Sequence, residues 1–337
     1  MLRVRSLFFA ASLLSAAACG SAGRAGGQPR ASHGETSVRT TTTTTIEAAA
    51  VPSAPKRIPL RFDLLGHPFP LPLVHGTVAG EPTWMLVDTG ANSHVIAAWL
   101  ARKAKLDSKN LGDVGTDHTG RTIVTSRVDD PSIVVDGWGA LAGGPILVTE
   151  VPEAVARLGI GAFLSPQQLA TAGDAIVLDL GRSEMRSDSL PIALKALEGR
   201  GVDLLTTEAR ACEDTDSPIK GLAFVLPARV DGTRVGLLLD TGAHHSDLLA
   251  STPVGKKLAP RSVANKEQVY AASGRITTRT IKRAKLEVGA WSGITDVDVL
   301  PGDSDPACPR DGVLAMDVLQ KCVLVLHAST VRARCGS

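Results

Sequence analysis

The sequence predicts an all-β protein with two lobes, built from a tandem repeat, and a functional site between the lobes. One short motif occurs twice, 152 residues apart, and each copy directly follows an apolar run typical of a buried strand. The residues downstream of both copies repeat in the same order. Each half then ends in a β-rich apolar run, at 175–180 and at 322–326. We expect lobes at 58–190 and 218–335, joined by a polar linker at 191–217.

The repeated motif is Asp-Thr-Gly-Ala, and its copies are Asp88-Thr89-Gly90-Ala91 and Asp240-Thr241-Gly242-Ala243. Asp, Thr and Gly all favour turns, so a single copy would indicate only a strand that ends in a tight turn. Two copies in equivalent halves are more informative, because a pseudo-two-fold axis places equivalent turns face to face. The repeat therefore predicts that the two aspartates meet between the lobes.

Paired carboxyl groups have a specific chemistry. Two carboxyl groups about 3 Å apart cannot both ionise, so they share one proton over a wide pH range. The ionised group can take a proton from a bound water, and the protonated group can donate a hydrogen bond to a scissile carbonyl. Gly90 and Gly242 let backbone N–H groups approach the carboxylates, and the hydroxyls of Thr89 and Thr241 can bond across the interface. The motif pair predicts acid–base hydrolysis that requires no cofactor.

Each motif is followed by a predicted β-hairpin with glycine at its turn. The hairpin glycines lie 32 residues after Asp88 and 34 residues after Asp240, and the predicted tips are Thr119, Gly120, Ser273 and Gly274. In both halves another 41 residues lead to an apolar segment, Gly159–Ala162 in the first and Val313–Met316 in the second. The two halves therefore repeat a whole β-rich unit.

These motifs resemble those of the pepsin- and retropepsin-like aspartic proteases, here with two retropepsin-like lobes in one chain. The resemblance covers nearly all of residues 58–335. It implies the two-lobed acid-protease fold and an endopeptidase whose catalytic dyad is Asp88 and Asp240. It also implies that an apolar-apolar-Gly segment lies behind each aspartate, with Gly159–Gly161 and Val313–Ala315 as candidates. The hairpin tips would then be substrate-binding flaps, and two of them are closer to the retroviral type.

Two alternatives to a one-chain enzyme are open at this stage. The first is a catalytically silent protein with the same fold, which binds peptides or serves as an envelope-scaffolding lipoprotein. The presence of both aspartates favours the enzyme. The second is that each lobe pairs with another chain, but two complete half-sites in one chain favour intramolecular pairing and a monomer. A peptide or protein is the expected substrate.

A metal site near the motifs is a further hypothesis. His94, His244 and His245 lie close to the motifs in the sequence, beside Asp240 and Asp247, and these residue types can bind metals. No His-x-x-x-His or His-Glu-x-x-His spacing occurs, however. We therefore expect no metal, and expect these histidines to line the mouth of the cleft.

Residues 1–19 have the features of an export signal. Arg3 and Arg5 precede the short apolar stretch Leu7–Leu14, and small residues lead to Cys19. Cys19 resembles the cysteine of the bacterial lipobox, which is lipidated and becomes the mature N-terminus. The alternative is ordinary cleavage of the signal peptide after Ala18, with no lipidation of Cys19.

Residues 20–57 are rich in Gly, Ala, Ser, Arg and Thr, with threonine at every position from 40 to 45. Such a composition cannot order itself by burying apolar surface, so it predicts a flexible tether. A tail without a role is the alternative. We expect an exported protein of the cell envelope, attached to the membrane by a lipid anchor, or else a secreted protein.

Composition and cysteine content limit the remaining possibilities. Hydrophobic residues make up 44% of the chain, which excludes disorder for its bulk. No apolar run is long enough for a transmembrane helix. The net charge of +2 becomes slightly negative without the first 57 residues, which argues against a nucleic-acid partner. Four cysteines follow Cys19, and they are Cys212, Cys308, Cys322 and Cys335. They predict two disulfides, whose pairing the sequence leaves open, or else buried thiols.

Overall fold

The computed structural model describes residues 56–116, 122–170, 173–204, 209–214, 219, 221–271 and 274–336. The predicted signal, Cys19 and most of the predicted tether lie outside these residues. Strands dominate the described part of the chain, as the sequence predicts, and no helix within it is long and apolar enough to cross a membrane.

The strands are, in chain order, β1 (Arg57–Pro59), β2 (Arg61–Leu64), β3 (His67–Val78), β4 (Glu81–Val87), β5 (Val95–Ala97), β6 (Ser108–Thr116), β7 (Thr122–Val128), β8 (Ile133–Val135), β9 (Gly139–Ala140), β10 (Ile146–Thr149), β11 (Ile160–Leu164), β12 (Asp174–Asp179), β13 (Glu184–Ser189), β14 (Val202–Asp203), β15 (Arg210–Asp214), β16 (Gly221–Val230), β17 (Thr233–Leu239), β18 (Asp247–Leu249), β19 (Val263–Ala271), β20 (Gly274–Val288), β21 (Trp291–Leu300), β22 (Gly312–Leu314), β23 (Cys322–His327) and β24 (Thr330–Cys335). The helices are short, and they are α1 (Ala98–Lys103), α2 (Glu153–Arg157), α3 (Leu190–Lys195), α4 (Pro253–Leu258) and α5 (Met316–Leu319), with 3₁₀ turns at Pro166–Gln168, Leu180–Arg182 and Ala259–Arg261.

The strands form three sheets. The N-terminal sheet has ten strands, nine of them in the order β6-β7-β10-β5-β11-β4-β3-β8-β9, with β2 beside β3. The C-terminal sheet has eight strands, in the order β15-β16-β17-β22-β18-β21-β20-β19. A third sheet of six strands has the order β1-β13-β12-β23-β24-β14 and takes strands from both halves, so we call it the shared sheet. The fold is all-β and two-lobed, in agreement with the prediction.

The two lobes have the same arrangement around their central strands. In the N-terminal sheet β4 runs parallel to β11, and Val87 lies opposite Leu164. In the C-terminal sheet β17 runs parallel to β22, and Leu239 lies opposite Leu314. A short strand, β5 or β18, then pairs antiparallel with the far side of β11 or β22. These residues are almost fully buried, so each central strand ends inside the protein.

This register corrects one expectation from the sequence. Because Leu164 and Leu314 are equivalent, the counterpart of Val313–Ala315 is Phe163–Ser165. The predicted segment Gly159–Gly161 lies four residues too early. The prediction assumed connections of equal length, but the N-terminal half contains α2 just before β11, whereas an irregular loop precedes β22. Neither segment ends in glycine, since Ser165 and Ala315 occupy that position.

The shared sheet joins the two lobes. The two apolar runs that end the halves in the sequence pair with each other, because β12 is antiparallel to β23, with Leu178 opposite Leu324. Both leucines are fully buried and belong to one apolar core that extends through both lobes. The predicted linker contributes β14 to the shared sheet and β15 to the C-terminal sheet. The boundaries of the lobes stay a prediction.

Two disulfides form in the C-terminal half, and they use one of the three ways in which four cysteines can pair. Cys212 on β15 is bonded to Cys308 in the loop between β21 and β22. Cys322 is bonded to Cys335, directly opposite on the neighbouring strand β24. The prediction of two disulfides is therefore confirmed, and disulfides fit an exported protein.

Candidate active site

Asp88 and Asp240 lie directly after the two central strands. The N–H of Asp88 donates a hydrogen bond to the carbonyl oxygen of Leu164 (2.8 Å), and the N–H of Asp240 donates to that of Leu314 (3.0 Å). Both aspartates are fully buried. Each is thus fixed to the neighbouring parallel strand at the point where its own strand ends.

The threonines of the two motifs bind each other. The N–H of Thr89 donates to Oγ1 of Thr241 (3.1 Å), and the N–H of Thr241 donates to Oγ1 of Thr89 (3.0 Å). Each hydroxyl then donates to the opposite central strand, from Thr89 to the Leu239 carbonyl (2.8 Å) and from Thr241 to the Val87 carbonyl (2.7 Å). These reciprocal bonds are buried, and they fix the two turns relative to each other.

The glycines of the motifs lie against the opposite carboxyl groups. A Cβ atom at Gly90 would lie 2.5 Å from Cγ of Asp240, well inside any van der Waals contact. A Cβ at Gly242 would clash in the same way with Asp88. Glycine is therefore required in both places, because each carboxyl group packs on the backbone of the opposite turn. The structure thereby brings the two sequence-predicted aspartates together.

Main-chain N–H groups orient the two carboxyl groups. Oδ1 of Asp88 accepts from the N–H of Gly90 (2.8 Å) and of Ala91 (3.1 Å), and Oδ1 of Asp240 accepts from the N–H of Gly242 (2.8 Å). Burial and then the negative charge of Asp240 raise the pKa of Asp88 well above its usual range, although the two N–H groups oppose this. A side-chain hydrogen bond with Asp240 also favours the protonated form. The pair is therefore built to retain a proton.

Residues 74–161 and 226–318 match the family described as aspartyl protease. Together these two regions cover more than half of the chain, and each contains one motif with its central strand. The chain belongs to the aspartyl protease family. This confirms the resemblance drawn from the two Asp-Thr-Gly-Ala copies. A comparison with curated proteins gives no significant match.

The hairpins of this aspartyl protease lie at the edges of the two lobe sheets. Strands β6 and β7 pair antiparallel as far as Thr116 and Thr122, and β19 and β20 pair as far as Ala271 and Gly274. Gly274 is thus the first residue of β20. The other three predicted tip residues lie outside the described residues, and they are Thr119, Gly120 and Ser273. Their role as flaps stays a prediction.

Gln167 is a site residue that sequence reasoning missed. It is buried, and its Nε2 lies within hydrogen-bond distance of the carbonyl oxygens of Ala91 (2.8 Å), Leu222 (2.7 Å) and Thr89 (3.2 Å). It therefore ties the Asp88 turn to β16 of the C-terminal sheet. Main-chain carbonyls carry no sequence signal, so no motif could have indicated this contact.

His94 supports the main chain behind Asp88. The N–H of Ser165 donates to its Nδ1 (3.1 Å), and burial lowers the pKa of His94 to about 4. Ser246 is its counterpart, because the N–H of Ala315 donates to Oγ of Ser246 (3.0 Å). His244 is partly buried and contacts His245, with the ring centroids 4.1 Å apart and the ring planes tilted by 44°. Burial and the charge of His245 lower the pKa of His244 to about 4.

Nothing in the described part of the chain suggests a metal centre. No group of three or more His, Cys, Asp or Glu side chains is placed there to hold a metal ion. Asp247, named in the metal hypothesis, is buried at the start of β18, where Arg310 is among its charged neighbours.

Proposed function

We propose that this protein is an aspartic endopeptidase, which hydrolyses peptide bonds with a water molecule activated by Asp88 and Asp240. The observation that supports this most directly is the reciprocal bonding of Thr89 and Thr241, which holds the two carboxyl groups together. Membership of the aspartyl protease family supports it independently. A buried, proton-sharing pair is suited to acid–base chemistry without a covalent intermediate.

The proposed reaction has two proton-transfer steps. The ionised carboxylate takes a proton from water while the water oxygen attacks the scissile carbonyl carbon, and the protonated partner gives its proton to the carbonyl oxygen. The resulting tetrahedral intermediate then collapses and the C–N bond breaks, while the carboxyl group that took the proton from water gives it to the leaving amine. A hydroxyl of the intermediate returns a proton to the other carboxylate, which restores the pair. The fixed N–H groups of Gly90 and Gly242 hold the carboxyl groups in place throughout, so little reorganisation accompanies the charge movement.

Peptide hydrolysis by charge-removing variants tests the proposal. Asn has nearly the shape of Asp but cannot ionise, so Asp88→Asn and Asp240→Asn should each fold and lose about a thousandfold or more in kcat/KM. The double variant should be scarcely worse than either single one, because the two residues act together. Asp136→Asn, which alters an exposed carboxylate, is the matched control and should retain activity.

Wild-type activity should also have a bell-shaped pH profile with an acidic optimum. A transition-state analogue of the pepstatin type should inhibit it, and a chelator should leave it unchanged. A well-folded Asp240→Asn variant that cleaves peptides near the wild-type rate would reduce the second motif to a strand-ending turn and refute the dyad.

The alternative is a catalytically silent protein that binds peptides or acts as an envelope-scaffolding lipoprotein. It predicts that wild-type protein binds a peptide with an affinity that Asp88→Asn does not change, and that no cleavage products form. The tight packing of Gly90 and Gly242 on the two carboxyl groups favours the enzyme. A scaffold needs no such close approach of two acids.

We further propose that the protein acts in the cell envelope as a monomer attached to the membrane by lipidated Cys19, with peptides or proteins as its substrate. The signal-like segment before Cys19 supports this. Cys19→Ser should abolish palmitate labelling and release the protein from membranes. Equal labelling of wild type and variant would favour a plainly secreted protein.

A further inference from the structure

The strand that leads to Asp88 is packed against large side chains. Leu86, two residues before Asp88, lies opposite Leu73 on β3 and opposite Phe163 on β11. All three side chains are almost fully buried, and they belong to the apolar core that extends through both lobes. That core therefore supports the central strand of the N-terminal lobe.

The equivalent strand of the C-terminal lobe is packed against smaller side chains. Leu238, two residues before Asp240, lies opposite Val225 on β16 and opposite Val313 on β22, in the same register. Two valines thus stand where the N-terminal lobe has a leucine and a phenylalanine. They belong to a second, smaller apolar cluster. Because protein interiors are close-packed, another group is needed to occupy the space that the smaller side chains leave.

The disulfide between Cys212 and Cys308 packs into this smaller cluster. Cys308 is 6% exposed and is a member of the cluster, and the partly buried Cys212 packs against it. Ala243 and Ala315 are fully buried members of the same cluster. Ala243 is the last residue of the second motif, and Ala315 follows Leu314, whose carbonyl oxygen accepts the aspartate N–H of that motif. The disulfide is therefore part of the apolar support behind this turn.

The same disulfide fixes the loop that leads into β22. In the N-terminal lobe the short helix α2 precedes β11, and its Val155 is buried in the large core. In the C-terminal lobe residues 301–311 form an irregular loop instead. The end of this loop is bonded to β17, because the N–H of Asp311 donates to the Gly236 carbonyl (2.7 Å) and its carboxylate accepts from the Gly236 N–H (2.8 Å). Three residues earlier, Cys308 ties the loop covalently to β15.

We propose that Cys212 and Cys308 are positioning residues: their disulfide holds the Asp240 turn in place, and its reduction by a dithiol slows peptide hydrolysis. This rests on the proposed peptidase function. The two carboxyl groups act together, and a misplacement of about 1 Å in a catalytic group can cost about a hundredfold in rate. No cysteine occurs between positions 20 and 211, so the Asp88 turn has no such control.

The proposed switch uses thiol–disulfide exchange. A thiolate of the dithiol attacks Sγ of Cys212, the more exposed of the two cysteines, the S–S bond breaks, and Cys308 leaves as a thiolate that takes a proton from solvent. The second thiol of the dithiol then closes a disulfide within the reductant and releases Cys212 as a thiol. The protein disulfide gains two electrons and the dithiol loses two. Cys322 and Cys335 are 0% exposed, so the other disulfide is protected from this attack.

Graded reduction of wild-type protein with dithiothreitol tests the switch, with alkylation and peptide mass mapping to identify the reduced cysteines. Cys212 and Cys308 should become reduced at concentrations that leave Cys322 and Cys335 oxidised. At that stage, before alkylation, kcat should fall about tenfold or more while KM changes less than about twofold, because a catalytic group is displaced and the substrate contacts are kept. Reoxidation should restore kcat. Full activity after selective reduction, or reduction of both disulfides at the same concentration, would overturn the inference.

Two double variants provide the matched comparison. Cys212→Ala with Cys308→Ala should have the low kcat from the outset and should not respond to dithiothreitol. Cys322→Ala with Cys335→Ala lacks the disulfide of the shared sheet and, where it folds, should keep kcat and still lose it on reduction. An equal loss of kcat in both double variants would show a merely structural role for the disulfides.

Amide hydrogen exchange needs no substrate, so it decides the inference even if no peptide is cleaved. On selective reduction, exchange at the N–H of Asp240 should become about tenfold faster or more, whereas the N–H of Asp88 should keep its rate. Unchanged exchange at Asp240 would refute the positioning role, and equal acceleration at both aspartates would show general loosening instead. A change confined to Asp240 in a protein that hydrolyses nothing would refute only the proposed peptidase function.

Discussion

The turn at Asp88 and the turn at Asp240 make the same bonds to each other but rely on different side chains behind them. Each aspartate N–H binds the parallel strand of its own lobe, and each threonine binds the opposite turn. Behind Asp88, the support comes from the His94 ring and the Gln167 amide. Behind Asp240, the Ser246 hydroxyl takes the place of His94.

A second pair of support residues differs in the same way. Gln167 and Asp317 are equivalent, each three residues after the leucine that holds its aspartate. Gln167 donates to main-chain carbonyls, whereas Asp317 accepts from the N–H (3.2 Å) and hydroxyl (2.7 Å) of Ser246. The bonds that join the two turns are thus symmetric, whereas the side chains that support the turns from behind differ.

Among substitutions that leave the two aspartates in place, the largest symmetric effect is expected at the glycines. In Gly90→Ala and in Gly242→Ala, the new methyl group overlaps the opposite carboxyl group, so each should lower kcat/KM about a hundredfold. Each should also lower the free energy of unfolding by about 1–3 kcal/mol. Gly181→Ala is the control, because its Cβ would meet nothing closer than 3.7 Å. A harmless substitution at either site would contradict the close approach.

The threonines should come next, again with equal effects in the two lobes. Thr89→Val and Thr241→Val keep the shape but lose a hydroxyl that accepts one bond and donates another. Each should cost about 2 kcal/mol of unfolding free energy in denaturant titrations, since a buried N–H loses its partner. Thr89→Ser and Thr241→Ser keep the hydroxyl and should recover most of the loss. A large loss of stability at only one of the two threonines would contradict the expected equality of the lobes.

A smaller and asymmetric effect is expected at His94. Its pKa in the folded protein is about 4 against 6.5 when exposed, so the neutral ring's contribution to stability is complete above pH 6.5 and is lost as pH falls towards 4. Between pH 7 and pH 4, wild type should therefore lose about 2 kcal/mol of unfolding free energy that His94→Asn does not lose. Ser246→Ala, at the equivalent position of the other lobe, keeps His94 and should therefore keep this loss of stability on acidification. Equal slopes for wild type and His94→Asn would contradict this role.

The smallest expected effect concerns the hairpin tips. Gly120→Val and Gly274→Val should strain the predicted turns by about 1 kcal/mol in thermal unfolding. If the hairpins order over substrate, each substitution should reduce kcat/KM by a larger fraction than it reduces the free energy of unfolding. The reductions in kcat/KM should be similar for the two lobes. Equal fractional losses of kcat/KM and of unfolding free energy would indicate that the hairpins are structural and do not gate the site. A loss confined to one tip would indicate a single flap.

The carboxyl pair and its glycines and threonines could be predicted because the information is local and occurs twice. The two copies of Asp-Thr-Gly-Ala identify equivalent turns, and symmetry then predicts their meeting. The position of the segment behind Asp88 was wrong by four residues, because insertions between repeats do not show in residue counts. A pattern of apolar residues predicts a strand but not its partner, so the pairing of β12 with β23 was not foreseen.

The two carboxylates of the C-terminal core show a different limit. Asp247 and Asp298 are separated by 51 positions, and neither stands in a recognisable motif. Only the parallel register of β18 and β21 places them side by side. Both are buried, which the sequence of one chain does not reveal.

The shared sheet has a consequence for how the two half-sites meet. When half-sites belong to separate chains, their encounter is bimolecular and fails on dilution. Here both halves belong to one chain and are joined further by the pairing of β12 with β23, so the meeting of Asp88 with Asp240 is independent of protein concentration. The same linkage allows each half to mutate alone, since separate parts of the gene encode the two halves. A residue such as His94 can therefore arise on one side of the pair without a twin on the other.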